Sequence, residues 1–290
     1  KLGTRAFASC KSLEEIKIPI KTAANLGANA FEQCVKLVKV GLHNDLAYLS
    51  NGLFQGAGAS EYEIRFYVIE KGDTGSASQL PDNITYVGDN CFANAWLWAM
   101  DLSTCGKLAK LNQYSFSTSK ILSLKLPESL ETIETQAFGA ATMDSIVIPE
   151  KCTNIGAEAF SRCTLREITL PDALTEIKTG TFQTCEFLDG NAIHLSENSK
   201  LEKIGSYAFA SCGDLQTTAF LKNLKNLTTI EKYAFANCFA YWKDKSGNTI
   251  NDAYRETSVA SGLEEIILPD SVVSLGESVF EENYALRKAD

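Results

Sequence analysis

A phenylalanine recurs along the whole chain, most often directly after an alanine. The intervals between successive members are 24, 23, 38, 24, 22, 22, 22, 27, 26 and 45 residues. The members are Phe7, Phe31, Phe54, Phe92, Phe116, Phe138, Phe160, Phe182, Phe209, Phe235 and Phe280. Self-similarity at a fixed period of this length is typical of a solenoid, in which neighbouring repeats complete each other's core. We therefore predict about eleven repeats of 22–24 residues, with the two longest intervals containing insertions.

Each repeat contains the same local signals in the same order. The pattern L-x-x-I-x-L, as in Leu13–Ile18, alternates at its end and predicts a short strand with one buried face. Prolines end several of these strands because proline cannot donate to a sheet ladder; they are Pro19, Pro127, Pro149, Pro171 and Pro269. A second segment, L-x-x-I-G, follows as the return path, and its glycines are expected to serve a turn; they are Gly27, Gly88, Gly156, Gly205 and Gly276. One strand from each repeat, stacked on the next, predicts a long parallel sheet with the phenylalanines inside.

The best-preserved repeat, from Asn154 to Pro171, contains the motif I-G-x-x-A-F-x-x-C-x-x-L-x-x-I-x-L-P. This unit resembles the BspA-like (Treponema-type) leucine-rich repeat. The resemblance implies a right-handed, β-rich coil that curves, with its parallel sheet on the concave face. It also implies a surface-attached or secreted protein, most often bacterial, that adheres to host proteins or to other cells. The family has no catalytic residues that could be transferred to this chain.

The domain organisation follows from the repeat frame. We expect residues 1–290 to form a single leucine-rich-repeat solenoid domain, with both ends inside the repeat array. One insertion lies near residues 70–80, where glycine and serine are frequent, and a second lies near residues 239–262.

Six cysteines occupy one repeat position, three residues after the phenylalanine. They are Cys10, Cys34, Cys163, Cys185, Cys212 and Cys238. The same position elsewhere holds Ala57, Ala95, Ser119, Ala141 and Asn283, so it requires a small side chain rather than a crosslink. We predict a ladder of buried free thiols. Whether Cys91, Cys105 or Cys152 forms a disulfide stays open.

Charge and motif content exclude several classes of function. The net charge of −9 argues against a protein built to neutralise nucleic-acid phosphates. The chain has no apolar run long enough to cross a membrane. Nucleotide-binding, hydrolase, metalloprotease and zinc motifs are absent, and its two histidines, His43 and His194, fall in different repeats. We therefore expect no catalytic site, no metal site and no cofactor, and an enzyme is the least favoured class.

Together with the lack of catalytic motifs, the resemblance implies binding as the function. It implies an extracellular or cell-surface recognition module whose partner is a protein or a glycan, including a partner from a host. Candidate anchors at exposed strand positions are Trp98, Leu122, Val147 and Ile267, and those in the second insertion are Tyr241, Trp242 and Tyr254. Two alternatives remain for these residues: ordinary scattered surface hydrophobes, and rings that fold back over the solenoid edge. An alternative for the whole chain is a structural spacer within a larger surface protein.

Overall fold

The computed structural model describes residues 1–21, 26–59, 62–73, 78–239 and 262–290, without the side chains of Trp98 and Leu122. The chain divides into two compact units, Lys1–Ala159 (unit 1) and Phe160–Asp290 (unit 2). Each unit is a parallel β-solenoid made of very short strands, as the repeat pattern predicts. Residues 74–77 of the first insertion and nearly all of the second lie outside the described residues, and the prediction of a single domain stays a prediction.

In unit 1, the strand ladder is formed by the L-x-x-I-x-L segments together with one short strand, Ser78–Gln79, from the first insertion. Its members are β1 (Glu15–Ile18), β2 (Lys39–Leu42), β4 (Arg65–Val68), β5 (Ser78–Gln79), β7 (Trp96–Asp101), β9 (Lys120–Lys125) and β11 (Ser145–Val147). The strands pair in parallel and in register, so that Glu15 faces Lys39 and Lys39 faces Arg65. The β7 and β9 strands pair along their whole length, from Trp96 with Lys120 to Asp101 with Lys125.

The second side of unit 1 is the return ladder, formed by the L-x-x-I-G segments. Its strands are β3 (Tyr48–Leu49), β6 (Tyr86–Val87), β8 (Lys110–Leu111), β10 (Thr132–Ile133) and β12 (Asn154–Ile155). Here too the pairing is parallel, and the apolar member of each pair is buried. Tyr48 pairs directly with Tyr86, so the 38-residue interval is one solenoid turn with an insertion.

Unit 2 repeats the plan with shorter strands. Its strand ladder holds β13 (Glu167–Thr169), β15 (Ile193–His194), β18 (Glu265–Ile266) and β20 (Lys288–Ala289). Its return ladder holds β14 (Glu176–Ile177), β16 (Lys203–Ile204), β17 (Thr229–Ile230) and β19 (Ser274–Leu275). Two 3₁₀ turns, Gly190–Ala192 and Ala219–Leu221, lie in this unit.

The third side of each turn is the phenylalanine corner, defined as the five residues centred on the recurring phenylalanine. Within each unit, the phenylalanine N–H donates to a carbonyl of the next turn, as from Phe92 to Ser115 and from Phe209 to Ala234. The residues two before and two after every recurring phenylalanine have φ between +52° and +64°. Only three of these positions hold glycine: Gly52, Gly56 and Gly180. Nineteen residues other than glycine therefore adopt the left-handed region, and most of them donate a backbone hydrogen bond to the next turn.

Stacked phenylalanine rings fill the centre of each unit. In unit 1 successive ring centroids lie 5.1 to 5.8 Å apart, and in unit 2 they lie 5.1 to 5.6 Å apart. Phe7 and Phe280 are half-buried, and the rings between them are fully buried. An additional ring packs edge-on in unit 1, where Phe66 contacts Phe54 and Phe92.

The cysteine position has a polar role that the sequence did not reveal. The thiols of Cys185, Cys212 and Cys238 donate to the carbonyl of the phenylalanine one turn earlier, with Sγ–O distances of 3.0 to 3.2 Å. Asn283 makes the same contact through Nδ2, to Phe235 at 2.8 Å. The position therefore selects a small hydrogen-bond donor in these turns, which deepens the prediction of a small buried residue. All nine cysteines are free thiols, and Cys10 is the exposed one.

The return-ladder glycines are needed for close approach rather than for an unusual backbone angle. A Cβ on Gly156 would lie 2.4 Å from the backbone nitrogen of Thr135, and one on Gly27 would lie 2.3 Å from the backbone of Gly3. Both glycines donate into the ladder, to Ile133 and Leu2 respectively. We predicted that these glycines serve a turn. The structure shows instead that they are needed where the chain packs closely against the backbone of the preceding turn.

Candidate partner-binding surface

The outward side chains of β9 and β11 in unit 1 form the candidate surface. Successive strand residues point to opposite faces, so Ile146 is buried while Ser145 and Val147 on either side of it are exposed. On β9, Ser123 and Lys125 are exposed in the same way around Leu124. Val147 has 66% of its surface exposed, an unusual state for a β-branched apolar residue in a strand.

An open depression of about 360 Å³ lies at the carboxyl ends of these two strands. Its lining consists of Ser103, Ser123, Leu124, Lys125, Leu126, Glu128, Ser145, Ile146, Val147 and Pro149. Serine hydroxyls both donate and accept hydrogen bonds, whereas Lys125 and Glu128 supply one charge of each sign. The depression therefore combines an exposed apolar anchor with mixed polar groups, which is the composition of protein-recognition sites.

Asp101 holds one charge of this surface in place. Its Oδ1 accepts hydrogen bonds from the backbone N–H and the hydroxyl of Ser103, at 2.9 and 2.5 Å. Lys125 Nζ lies 3.4 Å from Asp101 Oδ2. Partial burial acts to raise the pKa of Asp101, but the hydrogen bonds from Ser103 and the charge of Lys125 outweigh it and hold that pKa below its ordinary value.

Charges elsewhere on the unit 1 strand ladder are also paired. Lys39 Nζ lies 3.1 Å from Asp73 Oδ2 and 3.5 Å from Glu15 Oε1, while Arg65 contacts Asp73 at 3.6 Å. The hydrogen bond to Asp73 raises the pKa of Lys39. Because both signs alternate and neutralise each other, this face has no charge stripe for a polyanion or a polycation.

Aromatic side chains on the same ladder are partly covered by cations. Lys120 Nζ lies 4.4 Å from the centroid of the Trp96 ring, and Lys39 Nζ lies 5.5 Å from that of Tyr67. Both distances are typical of cation–π contacts. These rings are therefore engaged within the chain, which leaves Val147 as the exposed apolar side chain that the described part of this ladder offers.

Unit 2 carries a smaller exposed cluster on its own strand ladder. Phe187 is 39% exposed, and the guanidinium carbon of Arg166 lies 5.1 Å from its ring centroid. On the neighbouring strands His194 Nε2 lies 2.8 Å from Glu167 Oε1. His194 is thus paired across the ladder, a contact that could not be predicted from the sequence.

The predicted anchors differ in their exposure and in whether the structure describes them. Val147 is exposed in unit 1, as expected. Ile267, in unit 2, is half-buried, and its backbone N–H and carbonyl are both hydrogen-bonded to the Thr218 hydroxyl, at 2.7 and 2.8 Å. The remaining predicted anchors lie outside the described residues or have side chains outside them; they are Trp98, Leu122, Tyr241, Trp242 and Tyr254.

Sequence reasoning missed Ser103, Glu128 and Phe187. The first two follow the ends of strands, and only the stacking of successive turns brings them to the depression beside Val147. Phe187 had a usable signal, because it is a phenylalanine outside the repeat position and five residues after Phe182.

Other kinds of site were sought in the same residues. Within the described ranges, no group of three or more histidine, cysteine, aspartate or glutamate residues could hold a metal ion. The part of the chain that the structure describes also contains no helix that is long and apolar enough to span a membrane.

Comparison with solved structures supports the fold. The pneumococcal vaccine antigen PcpA has a TM-score of 0.55 and 17% identity over 99% of this chain and 74% of its own. A leucine-rich repeat protein of Bacteroides ovatus is 19% identical, with a TM-score of 0.41, over 99% of this chain and 81% of its own. A leucine-rich cell surface protein of Faecalibacterium prausnitzii is 20% identical, with a TM-score of 0.36, over 99% and 82%. At these identities the likeness to PcpA shows the fold alone.

Sequence comparison identifies the repeats themselves. A search of curated proteins gave no match. The model of the BspA type leucine-rich repeat region matches residues 1–71, 63–189 and 187–290, in six copies. These segments run from the first residue to the last without a gap, so the chain belongs to the BspA-type leucine-rich repeat family.

Proposed function

We propose that this chain is a recognition module of the cell surface or the extracellular space, which binds a partner through the strand ladder of unit 1. The partner is a protein, with a glycan as the other ligand class for this face. The observation that carries the proposal is the 66% exposure of Val147 beside a polar depression of about 360 Å³. An exposed apolar anchor with hydrogen-bonding groups around it is the arrangement found at binding hot spots.

The family and the paired charges support the same proposal. A repeat solenoid fixes its core and leaves outward positions free to vary, so recognition depends on those side chains rather than on the frame. The mixed charges favour a partner with both signs on its surface, and they argue against nucleic acid. Membership of the BspA-type leucine-rich repeat family supports the cell-surface or extracellular location that the proposal includes. The proposal includes no catalytic role.

The test begins with a screen of extracellular-matrix and cell-surface proteins for binding to the purified chain. With a partner in hand, Val147→Asp should weaken the affinity at least tenfold, about 1.4 kcal/mol, because a charge enters the apolar anchor. The matched control is Glu131→Ala, another exposed residue of unit 1, located beside the return ladder. Equal loss in both variants, or loss in the control alone, would place the partner on another face.

A spacer function is the second candidate, and the continuous hydrogen bonding between turns favours it. In unit 1, the Asn29, Phe31 and Gln33 N–H groups all donate to the next turn. Such a ladder makes each unit stiff along its repeat direction. If the screen yields no partner and Val147→Asp changes no measured interaction, the spacer becomes the better account.

A further inference from the structure

A groove follows the phenylalanine corner of unit 2, apart from the strand ladder. It has a volume of about 300 Å³. Its lining consists of Gln183, Tyr207, Ala210, Ser211, Tyr233, Ala236, Asn237, Glu281 and Glu282. These residues come from four successive turns, at the same few positions around Phe182, Phe209, Phe235 and Phe280.

The repeat geometry explains how the groove forms. Tyr207 and Tyr233 occupy the position two before the phenylalanine, and their φ values are +59° and +58°. Ser211 and Asn237 occupy the position two after it, with φ of +61° each. The left-handed backbone recurs at the same places in successive turns, so like side chains line up along the unit.

Small and aromatic residues then shape the space. The Tyr207 and Tyr233 rings stack with centroids 5.0 Å apart and planes 11° from parallel. Between the tyrosines and the Ser211/Asn237 pair, the chain carries Ala210 and Ala236, which are 4% and 8% exposed. Two alanines in consecutive turns leave room where Gln183 and Glu281 stand in the turns on either side.

The lining has the chemistry of a site for hydroxyl groups. The amides of Gln183 and Asn237 donate and accept, the Ser211 and tyrosine hydroxyls do the same, and Glu281 and Glu282 accept. Asn237 Nδ2 donates to Ser211 Oγ at 3.3 Å, which orients the Asn237 amide. Among the described residues, the side chains of Gln183, Glu281 and Glu282 have no hydrogen-bond or ion-pair partner.

We propose that this groove binds a neutral oligosaccharide. A sugar has alternating donors and acceptors for the amides and carboxylates, and C–H groups for the alanine floor and the tyrosine edges. No lysine or arginine lines the groove, and two carboxylates stand at one end. Sulfated sugars and sugars with carboxylates are therefore disfavoured by charge repulsion. The groove is separate from the strand ladder of unit 1. The oligosaccharide proposal can therefore be tested independently of the protein-binding proposal.

The phenylalanine corner of unit 1 differs from that of unit 2 in how its polar side chains are paired. There Asn29 Nδ2 donates to Gln55 Oε1, Gln136 hydrogen-bonds Glu158, and Arg5 pairs with Glu32. These long polar side chains satisfy one another across turns. In two turns of unit 2 the same positions hold the tyrosine pair and the two alanines, and the polar side chains around them are left to meet a ligand.

The test uses the full chain on an array of immobilised oligosaccharides, with malto-, cello- and chito-oligosaccharides as neutral probes and heparin and polygalacturonate fragments as anionic ones. The groove is filled by Ala236→Gln, and this position tolerates glutamine because Gln55 and Gln183 stand there in other turns. The matched control is Ala93→Gln, the same repeat position in unit 1. Circular dichroism melting of all three proteins verifies the fold.

The expected result is binding of at least one neutral probe by the wild-type chain, with affinity reduced at least tenfold by Ala236→Gln and retained by Ala93→Gln. Three results would overturn the proposal: no binding of any neutral probe, binding only of the anionic probes, or equal binding by the wild type and Ala236→Gln. Each of these leaves the strand-face proposal intact, because Ala236 is absent from that face.

Discussion

The two units use one core to support different surfaces. Unit 1 has strands of up to six residues, β7 and β9, and an open depression beside Val147 on its strand ladder. The longest described strand of unit 2 is β13, with three residues, and the groove of that unit lies on the phenylalanine corner. Both units keep the phenylalanine stack and the turn-to-turn hydrogen bonds at the corner. The difference shows that the shared core leaves the outward-facing positions free to vary. A binding surface can therefore form on the strand ladder or at the phenylalanine corner.

The largest expected effect is the difference in alkylation rate between buried and exposed cysteine thiols. Burial raises the pKa of Cys105 and Cys152 in unit 1, and of Cys185 and Cys238 in unit 2, to about 12. Alkylation needs an accessible thiolate, so native protein at about pH 8 should be labelled rapidly at Cys10 only. Intact-mass spectrometry would show one adduct before unfolding and nine after unfolding without reductant.

Peptide mapping assigns the label to a unit. The expectation is one modified residue in unit 1 and none among the four cysteines of unit 2. Rapid labelling of Cys185 or Cys212 in native protein would mean that unit 2 opens readily. Fewer than nine adducts after unfolding would reveal disulfides in the isolated protein.

The additional aromatic ring of each unit gives the next largest effect. Phe66 is 3% exposed and packs on two rings of the stack, whereas Phe220 is half-buried and tilted against Phe209 and Phe235. We expect Phe66→Ala to lower the free energy of unfolding by about 3–5 kcal/mol. For Phe220→Ala we expect about 2 kcal/mol, because less apolar surface is buried.

Urea unfolding followed by circular dichroism measures both variants. If Phe220→Ala costs as much as Phe66→Ala, the two units have equally consolidated cores and the comparison fails at this point. A second transition in either variant would show that the units unfold separately.

The sequence predicted the parts of the fold that depend on the apolar period. The strand and return segments, the prolines that follow the strands and the buried phenylalanine stack all follow from residue types that repeat in phase. Pro127 and Pro149 come after the ends of β9 and β11, as the pattern requires. Each of these features is visible in the sequence of one repeat and recurs in the next.

The left-handed corner residues could not be predicted from the sequence. Tyr207 and Thr184 are poor candidates for positive φ, and the hydrogen bonds that they donate to the next turn hold them there. For the same reason, neither the depression beside Val147 nor the groove of unit 2 could be predicted from the sequence. Glu128 comes to lie beside Val147, Ala210 beside Gln183 and Ala236 beside Glu281, through the stacking of turns that are distant in sequence.

Two threonines at the same corner position allow a direct comparison of units. Thr118 in unit 1 has φ of +54°, and Thr184 in unit 2 has φ of +60°. Thr118 Oγ1 donates to Asn94 Oδ1 at 2.7 Å, whereas the Thr184 hydroxyl has no hydrogen bond among the described residues. Glycine adopts this backbone region without the steric cost of a β-branched side chain.

We therefore expect Thr184→Gly to stabilise the protein by roughly 1 kcal/mol. Thr118→Gly should be close to neutral, because the lost hydrogen bond, worth about 1 kcal/mol, offsets the relief of strain. Thermal melting of the two variants beside the wild type provides the measurement. Destabilisation by Thr184→Gly would show that the left-handed corner in unit 2 is not strained.

The smallest expected effect concerns lysines on the two return ladders. Lys203 in unit 2 lies between Glu176 and Glu231, at 3.2 and 2.6 Å, whereas Lys110 in unit 1 has one ion-pair partner among the described residues, Glu134 at 2.6 Å. The pairs are largely solvated, so replacing Lys203 with methionine should cost a few tenths of a kcal/mol and replacing Lys110 still less. The Lys203 side chain holds the pKa of Glu231 below its ordinary value, and the two glutamates raise the pKa of Lys203.

The sign of the pH dependence follows from those two shifts. A lowered glutamate pKa contributes stability that is fully present above the ordinary value and is lost as pH falls through the lowered one; a raised lysine pKa contributes stability that is lost as pH rises through the raised value. The cost of Lys203→Met, measured by urea unfolding, should therefore be visible near pH 7 and shrink toward zero near pH 3, where carboxylates become protonated. Lys110→Met should show a smaller cost near pH 7, and its cost should also approach zero near pH 3. If its cost near neutral pH equals that of Lys203→Met, the second glutamate adds nothing, and the return ladders of the two units are electrostatically equivalent.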